Sequence, residues 1–225
     1  LGALTGVDEK DRLSLASDGI ALTDYTPYLK EDGLKGKRIG VWKSKFGNHE
    51  GIDAALEPSL KALEDAGAEL VELETIIENM GELRDSAKAR LQYEFKDGVN
   101  AYLATASPST SVKTLSDVIA YNQTHEEEAM PFFQMEILEL SDARGDLTDV
   151  EYLTATNLIR STSREGINTT MDEWKLDAIV APTGGPAWCT DLVNGDHSGG
   201  GSSTPAAWAG YPIITVPAGY VHGLP

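Results

Sequence analysis

Apolar and polar positions change period several times along the chain, and each change predicts an element. Leu1-Gly-Ala-Leu-Thr-Gly6 reads as the tail of an apolar helix closing on a glycine cap. Residues 7–35 hold no period. They are polar and rich in turn formers such as Asp18-Gly19 and Asp32-Gly33, which predicts a surface excursion. Lys37-Arg-Ile-Gly-Val-Trp42 then reads as a buried strand led in by charged residues. Ile52, Leu56, Leu60 and Leu63 recur at helical spacing, with Gly67 where a C-cap falls. Pro58 interrupts that helix. It must lie in the first turn or kink the helix, because a mid-helix proline costs about 3 kcal/mol. Ala68-Glu-Leu-Val-Glu-Leu73 alternates and gives a second strand. Strand, helix and strand with short links form a right-handed parallel crossover.

Residues 77–174 read as largely helical. Residues 86–103 hold good helix formers, and Ala106-Ser-Pro-Ser-Thr110 ends them. Thr114-Leu-Ser-Asp117 and Thr148-Asp-Val-Glu151 have the form of capping boxes, the second opening a long amphipathic run to Trp174. Asp177-Ala-Ile-Val-Ala181 returns to strand and is broken at once by Pro182-Thr-Gly-Gly-Pro186. A short helix is predicted over 202–208, and a last strand over Tyr211-Pro-Ile-Ile-Thr-Val216. The mixture is α/β: an α/β/α sandwich whose mixed, mainly parallel sheet is flanked by helices. We read 225 residues as a single domain, with both ends resembling cuts.

Composition narrows the function classes. The net charge of −18 leaves 18 Lys and Arg thinly spread, whereas a nucleic-acid site needs a basic face. Nucleic acid is therefore excluded, and an anionic membrane is disfavoured. No apolar run approaches the ~18 residues of a membrane helix. The one cysteine, Cys189, allows no internal disulfide. Compartment is not determined by these features, with the cytoplasm favoured.

Chemistry concentrates in residues 176–225. A buried strand delivers the chain into Pro182-Thr-Gly-Gly-Pro186, and open α/β sheets bind ligands at the carboxyl ends of their strands. Trp188-Cys-Thr-Asp-Leu-Val-Asn-Gly-Asp-His197 follows, then Ser198-Gly-Gly-Gly-Ser-Ser203, whose glycines permit close backbone approach. Leu176-Asp-Ala-Ile-Val-Ala-Pro-Thr183, with Ser203-Thr-Pro-Ala-Ala-Trp-Ala-Gly-Tyr-Pro-Ile-Ile-Thr-Val-Pro-Ala-Gly219, resembles the C-terminal block of the amidase-signature family, closest to its bacterial peptide-amidase-like branch. Residues 1–11 resemble the family's helix and acidic turn just after its signature region, and Lys35–Val41 with Ala62–Leu73 resemble the strand–helix–strand that follows. The resemblance implies hydrolysis of linear carboxamides by a Ser–cis-Ser–Lys triad. It also implies that those residues precede Leu1, so no catalytic residue is assigned within the chain. The partners implied are a small-molecule or peptide amide substrate and the missing N-terminal segment of the same protein. No cofactor and no metal are expected.

Gly199-Gly-Gly-Ser-Ser203 has the look of a nucleophile loop. Thr204-Pro-Ala-Ala-Trp208 follows it, however, where the signature needs further glycines and a second serine. A nucleophilic serine also requires a base in reach, and no lysine follows Lys175. Cys189 stands in an acidic loop that disfavours a thiolate, and His197, His222, Asp191 and Asp196 lack metal-ligand spacing. Glu126-Glu-Glu128 reads as a solvated face. The candidates for the substrate side of the pocket are Thr183, Trp188, Asp191, Asn194 and Asp196. Their alternative is loop turns closed by Asx hydrogen bonds, and for Trp188 and Trp208 core packing is an equal alternative. At the level of the chain, the alternative to an amidase part is a non-catalytic α/β scaffold or binding module.

Overall fold

A computed structural model describes residues 2–224. Strand β1 (Arg38–Trp42) is central, with β2 (Glu69–Leu73) and β3 (Ala178–Val180) parallel on either side. Helix α1 (Glu50–Asp65) makes the predicted crossover between β1 and β2. After β2 come α2 (Arg84–Ala104), α3 (Leu115–Thr124), the short α4 (Glu126–Ala129) and α5 (Glu136–Asp142). The long α6 (Val150–Trp174) leads into β3, and α7 (Thr204–Ala209) follows the glycine-rich loop. The chain thus adopts the expected α/β arrangement, a parallel sheet flanked by helices.

Register explains the core. Gly40 pairs with Val71 and Ile179, and Trp42 with Leu73, so these side chains share one face. On that face they pack with Ile76, Ile77, Leu83 and Leu176 against Ile159 of α6. A β-carbon on Gly40 would come within 2.5 Å of Leu73 Cδ1 and 2.8 Å of Leu176 Cδ1, so any larger residue there would make both leucines repack. Ile39 and Val41 point to the opposite face and are also buried. Fully burying such side chains contributes roughly 1.5–3 kcal/mol each.

Local signals mostly act as predicted. Gly67 takes φ +94° just beyond α1, and the Ala68 amide reaches back to the Leu63 carbonyl. Thr114 and Asp117 close a full capping box: Thr114 Oγ1 accepts from the Asp117 amide at 3.1 Å, and Asp117 Oδ2 accepts from the Thr114 amide at 2.9 Å. Pro58 lies well inside α1 rather than in its first turn. It and Ala54, whose carbonyl loses its helical donor, are both exposed, so water can satisfy that carbonyl. Glu126, Glu127 and Glu128 are solvated in α4.

Residues 2–4 form a short 3-10 helix, Leu1 lying outside the described residues. Two expectations are corrected. Thr148 and Glu151 form no capping box. Thr148 bonds to Asp146, and Glu151 turns to Arg144 Nη1 (2.7 Å) and Tyr93 Oη (3.0 Å), tying the start of α6 to α2. Finally, residues 211–216 do not form a strand: among the described residues they make no ladder hydrogen bonds with another strand, and a strand needs such a partner.

Candidate functional site

The carboxyl end of β3 opens directly into the glycine-rich loop, as the sequence predicted. The Gly185 amide donates to the Gly199 carbonyl at 2.7 Å, and the Ser202 amide to the Thr183 carbonyl at 3.4 Å. The two arms of the loop therefore run side by side. A β-carbon on Gly185 would stand 3.0 Å from the Gly199 oxygen, and one on Gly184 3.2 Å from the Gly200 oxygen. Gly200 adds a positive φ of +33°. Their role is close backbone approach.

This hairpin of loops separates two cavities. The smaller, ≈ 320 Å³, lies between the loop and the N-terminus of α1, where Lys45, Asn48, His49 and Asp53 face Pro186, Trp188 and His197. His49 caps α1, its Nδ1 accepting from the Ile52 amide at 3.3 Å, and Asp53 accepts from the Gly47 amide at 2.8 Å. Lys45 Nζ stands 4.4 Å over the Trp42 ring, a cation–π contact. The larger, ≈ 730 Å³, runs along β3 and is walled by Trp42, Ile167, Met171, Ser203, Tyr211 and residues 212–215.

Of the predicted pocket residues, Thr183 lines the larger cavity and Trp188 the smaller. Asp196 lines neither but accepts the Trp188 indole N–H at 3.2 Å, orienting that ring. Asp191 and Asn194 also line neither and close an Asx turn. Asp191 Oδ1 accepts from the Val193 and Asn194 amides at 2.8 and 2.9 Å, and its Oδ2 from Asn194 Nδ2 at 2.9 Å. The backbone and then the side-chain hydrogen bonds of Asn194 hold the Asp191 carboxyl below the ordinary range. Trp208 packs against the core instead of lining either cavity.

Sequence reasoning missed Lys45, Asn48, His49 and Asp53 on one side, and Ile167, Asn168 and Met171 on the other. Their positions in the sequence carry no local signal for a pocket. The connection from β1 into α1, with the first turn of α1, brings the first four to the loop, and α6 brings the other three.

Ser202 and Ser203 open into the larger cavity, whose walls include neither lysine nor histidine. Cys189 is exposed. Among the described residues, no three of His, Cys, Asp and Glu converge as a metal ligand set, and no helix is long and apolar enough to cross a membrane.

A scaffold with a ligand-sized loop cleft at the carboxyl end of a parallel strand thus carries the amidase-like block. The amidase family model matches residues 3–225, and the chain belongs to that family. It is 34% identical to a probable amidase of Arabidopsis thaliana, over 99% of this chain and 40% of that protein. It superposes on the native peptide amidase of Stenotrophomonas maltophilia with a TM-score of 0.85 and 36% identity, covering 100% of this chain and 45% of that one. A peptide amidase in complex with the competitive inhibitor chymostatin gives a TM-score of 0.88 at the same coverage. A shorter match, 45% identical over 75 residues, covers 32% of this chain and 14% of a glutamyl-tRNA(Gln) amidotransferase subunit of Thermoanaerobacter pseudethanolicus. The chain spans less than half the length of these relatives.

Proposed function

We infer that this chain is the C-terminal part of a single-domain enzyme that hydrolyses linear carboxamides, by acyl transfer to serine and then to water. The observation that carries the reading is the likeness to peptide amidase along the entire chain, at 36% identity. A glutamyl-tRNA(Gln) amidotransferase subunit also matches along the whole chain, but at 28% identity against 36% for peptide amidase, so transfer on tRNA is the weaker reading.

In this reading the serine nucleophile, its cis-serine partner and the lysine are supplied by the segment that precedes these residues. The oxyanion is held by backbone amides of that segment. The present residues form the far wall of the substrate pocket. Trp188, oriented by Asp196, faces the small-molecule or peptide amide from the smaller cavity, Thr183 faces it from the larger one across the loop, and Asp191 and Asn194 shape that loop. The cytoplasm is the proposed compartment.

The test compares the chain alone with the same chain preceded by its upstream segment. The longer protein should release ammonia from a peptide amide and label stoichiometrically with a serine-directed fluorophosphonate, and the chain alone should do neither. Stoichiometric labelling of the chain alone would put the nucleophile within these residues. A longer protein that neither labels nor hydrolyses amides would leave a scaffold in place of an enzyme.

A further inference from the structure

The smaller cavity, beside the glycine-rich loop, gathers groups that are scarce in the rest of the chain. The chain holds 36 Asp and Glu against 18 Lys and Arg, with four histidines. Yet Lys45, His49 and His197 line this one ≈ 320 Å³ space, and among the described residues Asp53 is its single acidic wall residue. The Asp53 carboxylate accepts from the Gly47 amide at 2.8 Å, which fixes it in the first turn of α1. The cavity stands where β1 and β3 end, the edge at which parallel sheets bind ligands.

Two of the donors are set in place. Lys45 ends the 3-10 turn after β1, and its Nζ lies 4.4 Å over the buried Trp42 ring, a contact that holds the ammonium without neutralising it. The Lys45 carbonyl accepts from Asn48 Nδ2 at 3.1 Å, so the turn itself is braced. His49 Nδ1 accepts from the Ile52 amide at 3.3 Å. The ring proton therefore sits on Nε2, which is a donor whether the imidazole is neutral or charged. Engaging a cation that is already ordered costs less entropy than ordering a mobile lysine. Across the cavity Pro182, Pro186 and Trp188 supply an apolar wall, and the Trp188 N–H is already taken by Asp196 at 3.2 Å. A donor wall opposite an apolar wall suits a carboxylate carried on a short aliphatic stem.

We propose that this cavity takes an acidic side chain of the amide substrate, with Lys45 as the specificity-determining residue and His49 Nε2 as the second donor. The substrate class is then a peptide amide, or an amide of similar size, that bears a carboxylate of the aspartate or glutamate type. The proposal rests on the reading of this chain as part of an amide hydrolase and names the substrate of that same site. Every group it uses lies within these residues.

Two probes of similar length test it on the longer protein: N-acetyl-glutamic acid α-amide and the uncharged N-acetyl-methionine amide. Ammonia release should give a kcat/KM at least ~10-fold higher for the acidic probe, the contribution of one hydrogen bond to a charged group. Lys45→Met should bring that ratio close to one, mainly through KM, while Lys45→Arg should keep most of the preference. A lysine that merely braces Trp42 would, when replaced, change both probes alike and leave the ratio where it was, which defeats the proposal. Equal constants for the two probes in the unaltered protein, or a preference for the neutral one, also overturn it. If Lys45→Met does not fold, salt decides: an acidic preference that shrinks from low to high ionic strength supports the proposal, and one that stays constant defeats it. The same comparison by tryptophan fluorescence titration needs no turnover. Tighter binding of the acidic probe without ammonia release would leave the site standing and the hydrolase reading fallen.

Discussion

Gly166, in the middle of α6, lies so close to Ile76 that a β-carbon there would stand 2.4 Å from the Ile76 carbonyl oxygen and 2.9 Å from Ile77 Cγ1. The helix thus presses backbone to backbone onto the turn after β2, where Ile76 and Ile77 enter the core.

Gly166→Ala should therefore destabilise the protein by about 1–3 kcal/mol, the cost of overpacking. At an open helical site the same change would stabilise by up to ~1 kcal/mol. Urea denaturation reads the difference, and a gain in stability would show that α6 can move away from Ile76 freely.

The capping box of α3 offers a cleaner local test, because Thr114 is exposed and its loss leaves no cavity. Thr114→Ala should cost ~1 kcal/mol, and Thr114→Ser should restore most of it. The pair of urea midpoints separates the hydroxyl's role from that of the methyl group.

Asp177 ties β3 to β1 through Lys37 Nζ at 2.7 Å and the Arg38 amide at 2.9 Å. The Lys37 hydrogen bond first, and then the Arg38 amide, hold its carboxyl below the usual range. A carboxyl whose pKa is lower folded than unfolded stabilises the fold above the unfolded value, and that stabilisation fades as pH falls through the folded value. Asp177→Asn should accordingly lower Tm at pH 7. The gap from the parent should narrow steadily as pH falls below about 4. A gap independent of pH would show that the carboxylate's charge is immaterial.

Asp191 shapes its loop without joining the core, since its bonds stay within residues 191–194. Asp191→Ala should speed amide exchange at Val193 and Asn194 and proteolysis within 188–197, with Tm unchanged. In the longer enzyme it should raise KM for a peptide amide more than it lowers kcat. A large loss of Tm would mean that the loop supports the fold itself.

Much of the fold was legible because its signals are local. A period of two marks β2, a helical period with a glycine stop marks α1, and Thr114 with Asp117 announces the start of α3. Thr148 and Glu151 have the same spacing but fail as a cap. Arg144 and Tyr93 compete for Glu151 across a helix pair that no spacing rule describes. The loop after β3 was legible as a pocket wall from its glycines and prolines, and Thr183 and Trp188 do line cavities. Their companions Lys45, His49, Ile167 and Met171 were not legible, because they arrive from distant elements.

By itself, then, the sequence determined the elements whose hydrogen bonds close within one segment, the parallel crossover, and the family of the chain. Tertiary structure decided what depends on a partner far along the chain. It sets how near α6 approaches Ile76, which side chains meet at the loop, and whether residues 212–216 form a strand. A helix completes its own backbone bonds, while a strand leaves half of them to a neighbour. That is why the apolar pattern of residues 212–216 could announce a strand in the sequence and still stand unpaired in the fold.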